Sequence, residues 1–184
     1  GYDSAGIAVL NDGLHLVKCK GKVSDLEAKI DGNMGHAEIG IGHTRWATHG
    51  EPNDENAHPH QSNSGDIVLI HNGIIENYSS IKEALIQRGY TFKSDTDTEV
   101  LVNLIEDVRK SEKTTLAKAV RIALNRVVGA YAIAVIDVNN SDQIVVAKKG
   151  SPLVVGVGDG EHFIASDATP FLEFTKKAIY LEDD

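Results

Sequence analysis

The sequence predicts an α+β fold in which a mostly antiparallel sheet is covered by helices. Three observations carry this. Strand-like segments come in runs, near the start of the chain and again beyond Gly129, and helical periodicity gathers between Ser80 and Val127. The strict strand–helix alternation of a doubly wound parallel sheet is missing. With 184 residues, 41% of them apolar, there is material for one domain with its own core.

Taken in order, Ser4 to Leu10 alternates small and apolar residues, Asn11-Asp12-Gly13 supplies turn chemistry, and Leu14 to Cys19 completes a hairpin. Val23, Leu26 and Ile30 recur at helical spacing, so a short helix over Val23 to Asp31 is expected to close at Gly32. Glu38 to Thr44 reads as a strand that leads directly into Arg45 and Trp46. From Gly50 to Gly65 nothing is periodic, and Pro52, Pro59 and many small polar residues make a long loop of the functional or disordered kind. Ile67 to His71 is an apolar strand ending in Asn72-Gly73, a dipeptide that readily enters turns. Ser80 and Glu83 form a capping-box pattern for a helix with Ile81, Leu85 and Ile86 inside and Gly89 after its end. Thr96 and Glu99 make a second box ahead of Val100, Leu101, Leu104, Ile105 and Val108, and Leu116 to Val127 repeats the period after the polar link Ser111 to Thr115. The last two are expected to pack as a layer. Strands at Ala130 to Asp137, Gln143 to Lys148 and Leu153 to Val157 then read as an antiparallel meander. His162 to Ala165 and Ala178 to Leu181 are two short strands around a helix near Pro170.

The formal net charge of −9, with Lys and Arg scattered, argues against nucleic acid and anionic membrane surfaces as partners, since phosphate binding needs clustered cations. The longest apolar run, Val127 to Ile136, is half of the roughly 20 residues a spanning helix needs. Cys19 is the only cysteine and no secretory signal pattern precedes it, so no internal disulfide forms and a cytoplasmic setting is expected.

One stretch is wrong for an ordinary loop. Gly40 to His60, GIGHTRWATHGEPNDENAHPH, sets the sole tryptophan beside an arginine and holds four of the eight histidines. Arg45 next to Trp46 is either a surface cation stacked on a ring or a bidentate partner for a substrate carboxylate. Asn72-Gly73 is either a plain turn or an oxyanion hole, made from the Asn72 amide and a backbone N–H that glycine lets a ligand approach. Asp97, in the first turn of a helix, is stabilised there by the macrodipole alone or holds a substrate ammonium. His58-Pro59-His60 invites a metal site, yet zinc sites favour other spacings with Cys or carboxylate support, so loop anchoring is expected and no metal. Cys19, inside a hairpin strand with no base beside it, is expected to be a buried, inert thiol.

The motifs GYDSAG, GHTRWATHG with NAHPH, HNGIIENY, SDTDTEV, GAYAIAV and GSPLVVGVG with FIASD occur in that order over essentially the whole chain. In this they resemble the glutaminase domain of the glutamine–fructose-6-phosphate aminotransferases, also called glucosamine-6-phosphate synthases, within the class II glutamine amidotransferases. The resemblance implies an N-terminal-nucleophile hydrolase fold, a four-layer αββα sandwich with two mostly antiparallel sheets between helical layers. It implies hydrolysis of L-glutamine by an N-terminal cysteine, without a cofactor. Ammonia then passes to a C-terminal isomerase domain that converts fructose 6-phosphate to glucosamine 6-phosphate, in an enzyme expected to be a homodimer. By matching positions, Arg45 takes the glutamine carboxylate with Thr48 and His49 completing that pocket. Asp97 takes the ammonium, Asn72 and Gly73 form the oxyanion hole, and Trp46 gates the ammonia passage. The family's nucleophilic cysteine precedes the GYDSAG motif, so residues 1–184 are expected to form a single glutaminase domain without its nucleophile and without the isomerase domain, inactive alone. The alternatives are another class II amidotransferase with a different acceptor, and a catalytically dead glutamine-binding module.

Overall fold

Residues 2–32 and 34–183 are described in the structure, a computed structural model; Gly1, which opens the first motif, lies outside the described residues. β1 (Ser4–Leu10) and β2 (Leu14–Lys20) form the expected hairpin, with Leu10 facing Leu14 across a turn in which Asp12 and Gly13 take positive φ. β3 (Ile39–Arg45) pairs along the other edge of β1, so the first sheet runs β2-β1-β3 and sets Ser4 opposite Arg45. α1 (Val23–Ile30) packs Leu26 and Ile30 against Ala5, Ile7, Val17 and Cys19 on one face of that sheet. Asp31, in the left-handed conformation, closes the helix one residue before the expected Gly32.

The second sheet runs β4-β5-β6-β7, built from β4 (His60–Gln61), β5 (Ile67–Ile75), β6 (Gly129–Asp137) and β7 (Asn140–Lys149), all antiparallel. Side chains alternate across a strand, and here the alternation divides two cores. Val68, Ala134 and Ile136 meet Ala8, Leu10 and Ile41 of the first sheet. Ile67, Leu69, Ile133 and Val135 point the other way, into α2 (Tyr78–Gln87), α3 (Asp97–Glu112) and α4 (Leu116–Leu124). The layers are therefore helices, sheet, sheet, helix, which is the four-layer sandwich, with α1 alone as its outer layer on one side.

Several elements differ from expectation, each for a local reason. The ladder of β5 does not turn at Asn72-Gly73 but continues to Ile75, pairing Gly73 with Tyr131 and Ile75 with Gly129. Gly73 sits at φ 122°, and a Cβ there would overlap the Ala130 carbonyl, so the glycine serves a close strand pairing and not a turn. The meander breaks at Gly150-Ser151-Pro152. Gly150 takes positive φ and Pro152 has no N–H to give a ladder, and β8 (Val154–Val157) leaves to form a third sheet, β10-β8-β9, with β9 (His162–Ala165) and β10 (Ala178–Tyr180). The helix near Pro170 is a single 3-10 turn, Thr169–Phe171, that buries Phe171. α2 starts at Tyr78, ahead of Ser80, whose hydroxyl donates to the Asn77 carbonyl; Leu85 lies inside and Ile86 is exposed.

The loop from Gly50 to Gly65 is not structureless, and its middle is buried. Asn56, Ala57, His58 and His60 are buried, and His60–Gln61 forms β4. Lys18 donates to the Glu55 and Ala57 carbonyls, Lys20 N–H to Asp54, and Asn56 exchanges hydrogen bonds with Asp95. Gly6 lets the loop in, because a Cβ there would overlap the His58 carbonyl.

Thr96 caps α3, its hydroxyl accepting from the Glu99 N–H at 3.2 Å. The reciprocal half of the box is replaced, since the Glu99 carboxylate takes the N–H groups of Lys93 and Ser94. Thr96→Ala is expected to cost about 1–2 kcal/mol, read as a lowered urea midpoint, because a buried cap is lost; an unchanged midpoint would contradict the cap. Among the described residues no helix is long and apolar enough to cross a membrane.

Candidate active site

A cavity of about 290 Å³ opens where three elements end or begin together. The C-terminal end of β3 brings Arg45, the middle of β5 brings His71, Asn72 and Gly73, and the first turn of α3 brings Asp97 and Thr98. Trp46, Thr48 and His58 complete one wall, and Tyr2 and Ser166 reach it from distant parts of the chain. Arg45, Trp46, Thr48, Asn72, Gly73 and Asp97, scattered over 53 positions of sequence, are thus gathered around one space. His49 is the exception. Its side chain packs edge-on against Tyr78 at 5.1 Å, outside the cavity lining, and its backbone carbonyl accepts from Arg45 Nη2.

Arg45 is only 4% exposed. One arm of its guanidinium is held by the His49 and Gly50 carbonyls, while Nη1 is buried with no hydrogen-bond partner among the described residues. Burial lowers its pKa, opposed by the charges of Asp97 and Asp3. A buried cation with a free donor is costly unless an anion completes it. The surface-cation alternative is therefore set aside: Arg45 is inside, while Trp46 is 68% exposed and leans on Tyr2 with ring centroids 6.1 Å apart.

Asp97 is buried and its Oδ2 accepts from the Ile75 N–H at 2.8 Å, tying the helix start to the end of β5. His71, below it, lies 3.1 Å from Thr98 Oγ1 through Nδ1 and 4.0 Å from the Asp97 carboxylate. Asn72 projects from the opposite face of β5, and its Oδ1 sits 2.7 Å from His43 Nε2. Cys19 lies elsewhere, buried beneath α1 as expected, with its pKa raised chiefly by burial.

The histidines form a stack. His43 and His58 are 4.3 Å apart at 26°, and His58 meets His60 edge-on at 5.1 Å. Among the described residues no group of three or more His, Cys, Asp or Glu side chains is placed to hold a metal ion. His60 anchors the loop through Thr96 Oγ1 at 2.9 Å. The sequence flagged this cluster by composition and expected the pair His58 and His60 to anchor the loop, but it assigned no task to His43 or His71. Tyr2 and Ser166 lie in the GYDSAG and FIASD motifs, but the sequence alone placed neither at the cavity.

Burial is the largest cause of a lowered pKa in His43, His58, His60 and His71, bringing His43 from 6.5 to about 4. These rings resist protonation in the fold and accept it in the unfolded chain, so the unfolded state binds more protons below its own pKa. Their contribution to stability is whole above pH 6.5, falls as the pH drops through that value, and levels off only near the folded value. Urea midpoints are expected to decline from about pH 7 to about pH 5; a flat profile would contradict neutral, buried rings.

Comparison with known proteins shows the family and the fold. Residues 12–183 match the glutamine amidotransferase domain family. The chain is 58% identical over 187 aligned residues to glutamine–fructose-6-phosphate aminotransferase [isomerizing] of Chlorobaculum tepidum and 56% identical over 185 to that of Bacteroides thetaiotaomicron. All of this chain is aligned in both, and it spans about 30% of the length of each. Among solved structures it superposes on the glutamine phosphoribosylpyrophosphate amidotransferase of B. subtilis, in complex with ADP and GMP, with a TM-score of 0.80 at 28% identity, covering 98% of this chain and 39% of that one. With a family match over nearly the whole chain and a fold shared with a solved amidotransferase, the chain belongs to the glutamine amidotransferase domain family.

Proposed function

We propose that this chain is the glutaminase domain of a glutamine–fructose-6-phosphate aminotransferase and that its cavity binds L-glutamine. The observation that carries this is the buried Arg45 with its unpartnered Nη1, a ready donor for a carboxylate, set in the same cavity as the carboxylate of Asp97. One buried cation and one buried anion facing one space suit the two charged ends of a free α-amino acid. Arg45 holds the α-carboxylate, with Thr48 beside it and the His49 carbonyl fixing the guanidinium. Asp97 Oδ1 takes the α-ammonium while Oδ2 stays on Ile75.

The side-chain amide of glutamine then lies against Asn72 and Gly73. The Asn72 Nδ2 and the Gly73 N–H stabilise the oxyanion that develops when a nucleophile attacks the amide carbon, and because that charge exists only at the transition state they act on kcat more than on binding. Cys19 packs beneath α1, away from the cavity, so it does not supply the attacking thiolate; the family resembled uses an N-terminal cysteine for that step. The tetrahedral intermediate collapses to a thioester as the amide nitrogen takes up the proton the thiol gave and leaves as ammonia, and water then cleaves the thioester C–S bond to give glutamate and the free thiol. Trp46, at the exposed rim, gates the exit of ammonia toward an isomerase domain of the same protein. That domain aminates fructose 6-phosphate to glucosamine 6-phosphate, in a cytoplasmic homodimer. No step invokes a cofactor. The names of the relatives support the choice of acceptor.

The test is made on the full-length protein supplied with L-glutamine and fructose 6-phosphate. Glutamate and glucosamine 6-phosphate are expected in equal amounts. Glutamine turnover with no amino sugar formed would overturn the acceptor, and absence of glutamine turnover would overturn the glutaminase role.

A further inference from the structure

We propose that His43 is a positioning residue, which turns the Asn72 amide nitrogen toward the cavity by donating a hydrogen bond from Nε2 to the Asn72 side-chain oxygen. This rests on the oxyanion role proposed for Asn72 and adds the device that sets its direction. A carboxamide carries an acceptor oxygen and a donor NH₂ on one nearly symmetric plane. Facing a developing negative oxygen with its NH₂, Asn72 stabilises it; facing it with its carbonyl, Asn72 repels it. The catalytic direction therefore depends on what holds the other end.

His43 holds that end across the gap between the two sheets, from β3 to β5, with Nε2 2.7 Å from Oδ1. A protonated Nε2 pairs only with the oxygen. A bare Nε2 would draw the NH₂ to itself and leave the carbonyl facing the substrate. The surroundings choose between the two tautomers. Nδ1 of His43 is buried with no hydrogen-bond partner among the described residues, and an orphaned lone pair is tolerated more readily than an orphaned N–H. The proton is thus favoured on Nε2, where an acceptor is in place. Burial keeps the ring neutral at pH 7, so it carries one proton and the choice is exclusive.

The loop that buries Asn56 to His60 supplies the backing. His58 stacks on His43 at 4.3 Å, His60 braces His58 at 5.1 Å, and Thr96 at the cap of α3 fixes His60 at 2.9 Å. A histidine pair that resembled a metal motif in the sequence becomes a buttress for the ring that aims Asn72.

Two measurements test this. In the full-length enzyme, His43→Phe is expected to lower kcat for glutamine hydrolysis about five- to tenfold, the weight of one hydrogen bond, with KM for glutamine within about twofold. His43→Gln, whose side-chain N–H reaches toward the same oxygen, is expected to recover most of that loss. Equal losses in the Phe and Gln variants, or no loss in His43→Phe, overturn the positioning role. Asn72→Ala separates the two layers: if it keeps the unmutated kcat, the oxyanion role itself is what fails. The second measurement needs no variant. ¹⁵N NMR of histidine-labelled protein is expected to find the His43 proton on Nε2, and a proton on Nδ1 overturns the inference.

Discussion

Replacing Arg45 with alanine is expected to weaken L-glutamine binding by roughly 30-fold or more, the equivalent of about 2 kcal/mol or above. The size follows from burial. Arg45 is 4% exposed and its Nη1 has no hydrogen-bond partner among the described residues, so removing the guanidinium is expected to leave the ligand carboxylate desolvated and unpaired. Lysine keeps the charge but loses the planar fork, and because Nη2 of Arg45 is committed to the His49 and Gly50 carbonyls while Nη1 serves the ligand, one ammonium cannot hold both sides. Arg45→Lys is therefore expected to cost several-fold or more. Calorimetric titration with L-glutamine checks both, and unchanged affinity in Arg45→Lys would contradict the clamp.

Asn72→Ala is expected to lower kcat for glutamine hydrolysis in the full-length enzyme by about 10²–10³, with KM little changed, as for loss of one oxyanion donor. The split distinguishes it from Arg45, whose loss acts on ground state and transition state alike. A raised KM with an unaltered kcat would move Asn72 from stabilising the oxyanion to binding substrate. Gly73→Ala is a poor substitute for this test, since a Cβ at Gly73 overlaps the Ala130 carbonyl and breaks the pairing of β5 with β6.

Much of the fold was legible because local chemistry and tertiary packing agree along it. The Asn11-Asp12-Gly13 turn, the Thr96 cap and the helical periods of α3 and α4 each specify one outcome, and the structure has it. Asn72-Gly73 misled because positive φ at a glycine serves a turn and a tight strand pairing equally, and only the partner strand decides between them. The third sheet was hidden since β8 has the same period whichever sheet it joins. The candidate site was half legible: Arg45 and Trp46 stood out as costly types in a loop, and Asn72, Gly73 and Asp97 each had an ordinary and a functional reading between which only the family resemblance chose. The contribution of His49 through its carbonyl, and the work of His43 and His58, depend on which side chains three distant elements bring within reach, and no spacing along the chain encodes that.

The central claim is that the cavity between β3, β5 and α3 is the glutamine site, and it can be measured on the chain itself. A ¹⁵N-labelled sample of residues 1–184 titrated with L-glutamine is expected to show saturable shifts at Arg45, Thr48, Gly73, Asp97 and the Asn72 side-chain amide, absent in Arg45→Ala. Saturable shifts gathered instead around the second polar cavity near Lys18, Ser62 and Glu99, or none at any concentration, would contradict it.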